Sequence, residues 1–126
     1  MQHFFTILFV MELALLFTHE LDAVRKQAWR MFIGLKNMEG KKAYHIFLLL
    51  HLPLYTAILL LLFSPSSHSG RYIVDGFLAL HMLIHWGFRK HPGNQLNQGM
   101  SLVIINCAGL LAILHFILAA VFRYQI

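Results

Sequence analysis

The feature that most constrains this chain is that histidines and carboxylates lie inside or at the edge of strongly apolar segments. They are His19, Glu20 and Asp22 in the first segment, His51 in the second, and His81 and His85 in the third. A charge placed in hydrocarbon costs about 2.5–3.5 kcal/mol on insertion scales, so each group requires a partner, a proton or a metal. These residues are therefore the candidates for function.

The composition predicts a membrane protein. Hydrophobic residues make up 59% of the chain and charged residues only 12%, whereas soluble domains carry about a quarter charged residues. Four apolar segments each approach the ~20 residues that cross a bilayer. They cover residues 4–24, 44–63, 72–88 and 100–122. The predicted fold is all-α, a polytopic bundle of about four transmembrane helices that forms a single domain over residues 1–126.

Basic residues predict the orientation of the bundle. Most of them lie between the first and second segments or between the third and fourth, which predicts a cytoplasmic location for both connections and an outside location for both termini. No basic residue precedes the first segment and no small-residue cleavage site follows it, so we expect it to stay attached. The basic residues flank the spans, which indicates contact with lipid headgroups and excludes a nucleic-acid surface.

Four histidines fall at nearly one predicted depth. With a rise of about 1.5 Å per residue, His19, His51, His81 and His85 lie roughly 5–12 Å below the cytoplasmic surface, if the spans meet it near residues 24, 43 and 88. His81 and His85 are four residues apart and share one helix face, the spacing at which two imidazoles can hold one metal ion. The sequence predicts these four histidines as metal ligands.

The expected metal is zinc or iron. Neutral imidazoles with a carboxylate suit Zn²⁺ or non-haem iron, and the single cysteine, Cys107, provides no thiolate ligand set. Glu20 or Asp22 would act as the base beside such an ion. The predicted function is a metal-dependent hydrolase that acts on a lipid or amphipathic substrate near the cytoplasmic side.

Two other interpretations remain open at the level of sequence. Each histidine can simply form a hydrogen bond to a neighbouring helix, as polar side chains in membrane bundles often do. Alternatively, the chain is a non-enzymatic subunit that binds haem or packs within a larger membrane complex. Other membrane subunits or a second copy of the chain are possible partners besides the lipid bilayer.

Other polar residues suggest weaker roles. Glu12 lies near the predicted middle of the membrane, where a pair with His115 would stabilise both. His115 lies on a stripe of small residues, so a packing role is the simpler expectation. Asp75 with Arg71 is expected to form a cap or a solvated pair near the outer surface, and Asn106 is expected at most to support the histidine layer.

The run from His19 to Arg30 resembles a family of small bacterial membrane proteins of unknown function. The shared features are a His-Glu-hydrophobic-Asp-Ala motif, here His19-Glu20-Leu21-Asp22-Ala23, a Trp-Arg pair shortly after it, and later histidines in apolar helices. Family members often have a further His-Glu where this chain has Gln27-Ala28, so no ligand is expected there. The resemblance implies an integral protein of the bacterial inner membrane with about four helices, and it implies no activity.

Overall fold

A computed structural model of the chain contains four long helices joined by short connections. The structure describes residues 2–63 and 67–122, and among these every side chain except those of residues 2, 67 and 68. The helices are α1 (Gln2–Arg25), α2 (Gly40–Phe63), α3 (Ser67–Gly87) and α4 (Gly99–Val121). They cover the four apolar segments except for the last residue of the third and of the fourth, and no strand occurs in the described ranges. The prediction of an all-helical bundle is confirmed.

Contacts between the helices define an up-down-up-down bundle. The end of α1 meets the start of α4 where Ser101 donates a hydrogen bond to Asp22, and the start of α1 meets the end of α4 where Phe5 packs on His115. These two helices are therefore antiparallel. Helix α4 packs closely on α1 and α3, and α2 packs on α3. A Cβ on Gly109 would lie only 2.6 Å from the Met82 side chain, so this glycine permits the close approach of α4 to α3.

The outer surface of the bundle is apolar. Three helical segments are long and apolar enough to cross a membrane, namely His3–Arg25, Gly40–Phe63 and Gly99–Val121. Helix α3 is less apolar because its inward face carries Arg71, Asp75 and two histidines, while its outward face exposes large apolar side chains. These are Ile73, Leu80, Leu83, Ile84 and Trp86. The exposed surface is that expected in contact with lipid.

The connection between α1 and α2 folds back beneath the bundle instead of extending away from it. Gln27 has a φ of 54°, in the left-handed region, and it turns the chain into a short 3-10 turn over Ala28–Met31. Trp29 is buried and its ring packs on Tyr44 and Phe47 of α2. The segment that sequence analysis treats only as a basic loop therefore forms part of the protein interior.

Candidate metal centre

Three histidines converge in the interior between α1 and α3. The ring of His19 lies 5.0 Å from that of His81 and 4.9 Å from that of His85, measured between centroids, and the His81 and His85 rings are 4.7 Å apart. One ring nitrogen of each histidine lies within 4.8 Å of the other two. The i, i+4 spacing of His81 and His85 places both rings on the α3 face that meets α1.

Two ring nitrogens in this group have no hydrogen-bond partner among the described residues. His19 is 2% exposed, and neither its Nδ1 atom nor Nε2 of His81 has a partner among the described residues. A buried polar atom without a partner costs about 1–3 kcal/mol. The interpretation in which each histidine forms a hydrogen bond to a neighbouring helix does not describe these two nitrogens. A metal ion bound among the three rings would give such nitrogens a partner.

His51 is not part of this group, because its ring is held by two other residues. Its Nδ1 lies 2.7 Å from the Phe47 carbonyl oxygen, and its Nε2 lies 2.8 Å from Oε2 of Glu20. A carbonyl oxygen can only accept, so Nδ1 carries a proton. One further proton must then lie between Nε2 and Glu20, and the pair is neutral overall whichever atom holds it. This neutrality explains how both side chains can be buried.

One cavity joins the three histidines to the Glu20–His51 pair. Its volume is about 290 Å³, and these five polar side chains lie on its wall. The remaining lining is mostly apolar: Ala23, Ala28, Met31, Phe32, Phe47, Leu50, Leu54, Phe77 and Leu96. A second cavity of about 190 Å³ adjoins it, shares Met31, Phe32, His81 and His85, and reaches Ile84 and Phe88 at the flank of the bundle. The centre thus has an apolar approach from the side.

Asp22 lies outside this cavity. Its carboxylate is 3.2 Å from the Arg25 guanidinium and 3.8 Å from the Lys26 ammonium, and it accepts a hydrogen bond from Ser101. Of the two carboxylates predicted as catalytic, only Glu20 lines the cavity. Asp22 instead joins the end of α1 to the start of α4.

Three expectations for other polar residues need correction or refinement. Asp75 forms no solvated pair with Arg71: it is 1% exposed, and its Oδ2 lies 2.9 Å from Nδ1 of His115. Glu12 lies near this pair, as expected from the suggested contact with His115. Asn106 accepts a hydrogen bond from the Trp86 indole at 2.9 Å and does not line the cavity.

Sequence reasoning missed the contribution of the connection between α1 and α2. Met31 and Phe32 line both cavities, although they lie in a segment chosen only for its basic residues. The available signal was the group of large apolar residues Trp29, Met31, Phe32 and Ile33 within that segment. Large apolar side chains in a short connection indicate that it packs against the protein or the membrane.

The fold and the cavity define a helical bundle of the membrane-spanning type with a histidine-lined interior. The chain belongs to a family of unknown function, DUF6713, whose sequence profile matches residues 5–122. This confirms the resemblance to an uncharacterised family. No curated protein and no solved structure matches the chain significantly, so the function has to be argued from the site itself.

Proposed function

We propose that the protein is a metal-dependent membrane hydrolase whose metal ion, zinc or iron, is held by His19, His81 and His85. The observation that carries the proposal is the convergence of three imidazoles in a cavity that also contains the Glu20–His51 pair. Three neutral nitrogen ligands with one position left open are typical of catalytic zinc sites. The site contains no thiolate, since Cys107 is exposed elsewhere.

Glu20 is the proposed base. A divalent metal held by the three histidines would supply Lewis acidity toward water or a substrate carbonyl oxygen. With the shared proton on Nε2 of His51, Glu20 is a carboxylate. It would take the proton of the attacking water and later pass it to the leaving oxygen, so that an ester is cleaved into an acid and an alcohol. His51 positions Glu20 through the hydrogen bond at 2.8 Å and is itself fixed by the Phe47 carbonyl. These roles assign His51 to the base and not to the metal.

The walls of the cavity favour a substrate with an acyl chain. Leu50, Leu54 and Phe77 provide an apolar surface beside the polar centre, and the adjoining cavity leads past Ile84 and Phe88 to the outer surface. Ile84 is about half exposed on the α3 face that we assign to lipid, and Phe88, in the turn that follows α3, is exposed to the same extent. A lipid or amphipathic ester can therefore enter from the bilayer with its polar group directed at the histidines.

Haem binding receives less support from the same geometry. A haem with two histidine ligands requires one imidazole on each face of the macrocycle. The rings of His19, His81 and His85 are in mutual contact, which leaves no space for a porphyrin between any two of them. The Glu20–His51 pair would also have no role in electron transfer.

Hydrolysis of chromogenic acyl esters, amides and phosphodiesters by the protein in nanodiscs, with added Zn²⁺ or Fe²⁺, tests this proposal. We expect metal-dependent turnover of at least one probe, with kcat lowered about 10²–10⁴-fold by Glu20→Gln, the usual contribution of a general base. Metal content should remain unchanged in this variant. Glu39→Gln, at an exposed carboxylate, is the matched control. Absence of metal-dependent turnover on every probe, or full activity of Glu20→Gln, would contradict the proposal.

A further inference from the structure

A second group of ionisable side chains lies deeper in the bundle, where α1, α3 and α4 meet. It consists of Glu12, Asp75 and His115, which are 0%, 1% and 0% exposed. One ligand atom from each of the three residues lies within 4.8 Å of the other two. Neither the metal centre nor the proposed hydrolysis uses any of these residues.

Most polar atoms in this group have no hydrogen-bond partner. The bond between Nδ1 of His115 and Oδ2 of Asp75 is 2.9 Å long. Both oxygens of Glu12, Oδ1 of Asp75 and Nε2 of His115 are buried without a donor or acceptor in the described part of the chain. A carboxylate that is fully buried and lacks a donor is among the most costly arrangements in a protein interior. A ligand that interacts with these atoms would remove the cost.

One positive charge, that of Arg71, lies close to the group without forming an ion pair with it. Phe5 and Phe9 pack on the His115 ring, with centroids 6.0 Å and 5.6 Å away. The Arg71 guanidinium lies over the Phe9 ring at 5.4 Å from its centroid. Within residues 2–63 and 67–122, no lysine or arginine forms an ion pair with Glu12 or Asp75. With both carboxylates ionised and the imidazole neutral, the group would carry a charge of about −2, and the Arg71 guanidinium, whose Nη1 is buried without a partner among the described residues, would offset only part of it.

We propose that Glu12, Asp75 and His115 form a second binding site for a divalent cation. A single divalent ion cancels the charge of the two carboxylates and uses lone pairs that otherwise have no partner. Two carboxylate oxygens and one imidazole nitrogen suit Zn²⁺, Fe²⁺ or Mn²⁺. This donor set is harder than the three imidazoles of the first site. We therefore expect the ratio of Mn²⁺ affinity to Zn²⁺ affinity to be higher at the second site than at the first.

The two sites are separated along the bundle and share no residue. Glu12 precedes His19 by seven positions on α1, which corresponds to about 10 Å along the helix axis. Leu16 of α1 and Leu78 of α3 fill the interior between the two layers, at 1% and 2% exposure. Each site can therefore be removed by substitution without touching a ligand of the other.

Zn²⁺ and Mn²⁺ titration of the purified protein, followed by equilibrium dialysis and elemental analysis, tests the second site. We expect the His85→Ala variant to retain one tightly bound metal ion per chain. Adding Glu12→Gln or His115→Gln to this variant should weaken the binding of that ion at least tenfold. Glu39→Gln in the same background is the matched control for the loss of one carboxylate. Gel filtration and helical circular dichroism establish that each variant is folded.

The alternative occupant is a proton shared between Glu12 and Asp75, whose carboxyl groups are close enough to share one. The second site would be overturned if folded His85→Ala retained no equivalent of Zn²⁺ or Mn²⁺, or if folded Glu12→Gln and His115→Gln bound it as before. If His85→Ala loses one bound metal ion and keeps the second, the result supports the second site, and the lost ion concerns only the first site.

Discussion

At the scale of single residues, Glu20 and Asp22 show how neighbouring carboxylates acquire different roles. Glu20 faces the cavity, where His51 is its partner. Asp22 lies about 200° further around the helix, where two basic side chains and Ser101 hold it. Because the two groups are directed apart, their substitutions should have separable effects.

Asp22→Asn is therefore expected to leave metal affinity at the three histidines within about twofold. Its ion pair with the exposed Arg25 side chain is worth about 0–1 kcal/mol. Because the asparagine oxygen can still accept the hydrogen bond from Ser101, the loss of stability should also be small. Isothermal titration with Zn²⁺ measures the affinity, and thermal unfolding in detergent measures the stability. An affinity loss of tenfold or more would show that Asp22 supports the metal after all.

At the scale of secondary structure, the connection between α1 and α2 closes the cavity at the end of the bundle where α1 ends and α2 begins. Trp29 is 6% exposed and packs between Tyr44 and Phe47, and the Phe47 carbonyl fixes His51. The loop before α4 packs on the same connection, since Gly93 approaches the Arg30 carbonyl. One wall of the histidine-lined cavity is therefore formed by a segment outside the long helices.

Trp29→Ala should lower the free energy of unfolding by about 3–5 kcal/mol, the usual cost of truncating a buried aromatic side chain. Trp86→Ala provides the matched control, because that indole is 52% exposed and should cost clearly less. Chemical or thermal unfolding of both variants in the same detergent makes the comparison. Equal costs would indicate that the connection is not packed as described.

The helices and part of the site could be predicted from sequence, and the reasons are specific. Apolar segments of about 20 residues define helices by length alone, and the spacing of His81 and His85 places both on one face. Whether His51 joins them depends on how α2 is rotated against α1, which no local pattern encodes. The burial of Asp75 was also missed, because Arg71 one turn earlier suggested a local surface pair, whereas the actual partner lies on α4.

At the scale of the whole molecule, both basic connections lie at one end of the bundle, as the contact of Gly93 with Arg30 shows. The histidine-lined centre lies near that same end. The excess of lysine and arginine in these connections predicts that this end faces the cytoplasm and that the metal centre opens toward the cytoplasmic leaflet. Location in a bacterial inner membrane follows only from the resemblance and remains a prediction.

Reporter fusions test the predicted orientation. A fusion after Gly40 should report a cytoplasmic location and a fusion after Ser67 an outside location, because basic residues are concentrated in the connections that contain Lys36 and Arg89. Fusions truncate the chain, so cysteine labelling at the same two positions in the untruncated chain provides an independent check. A cytoplasmic signal from position 67 would invert the bundle and place the metal centre at the opposite face.

The central claim is that His19, His81 and His85 bind one divalent metal ion, and the most direct measurement is Zn²⁺ affinity and stoichiometry in the purified, folded protein. We expect His85→Ala to weaken binding of one equivalent at least tenfold, while His45→Ala, at an exposed histidine of α2, leaves both quantities unchanged. A wild-type protein that binds less than about a tenth of an equivalent of added Zn²⁺ or Fe²⁺, or a folded His85→Ala variant that binds as the wild type does, would contradict the claim.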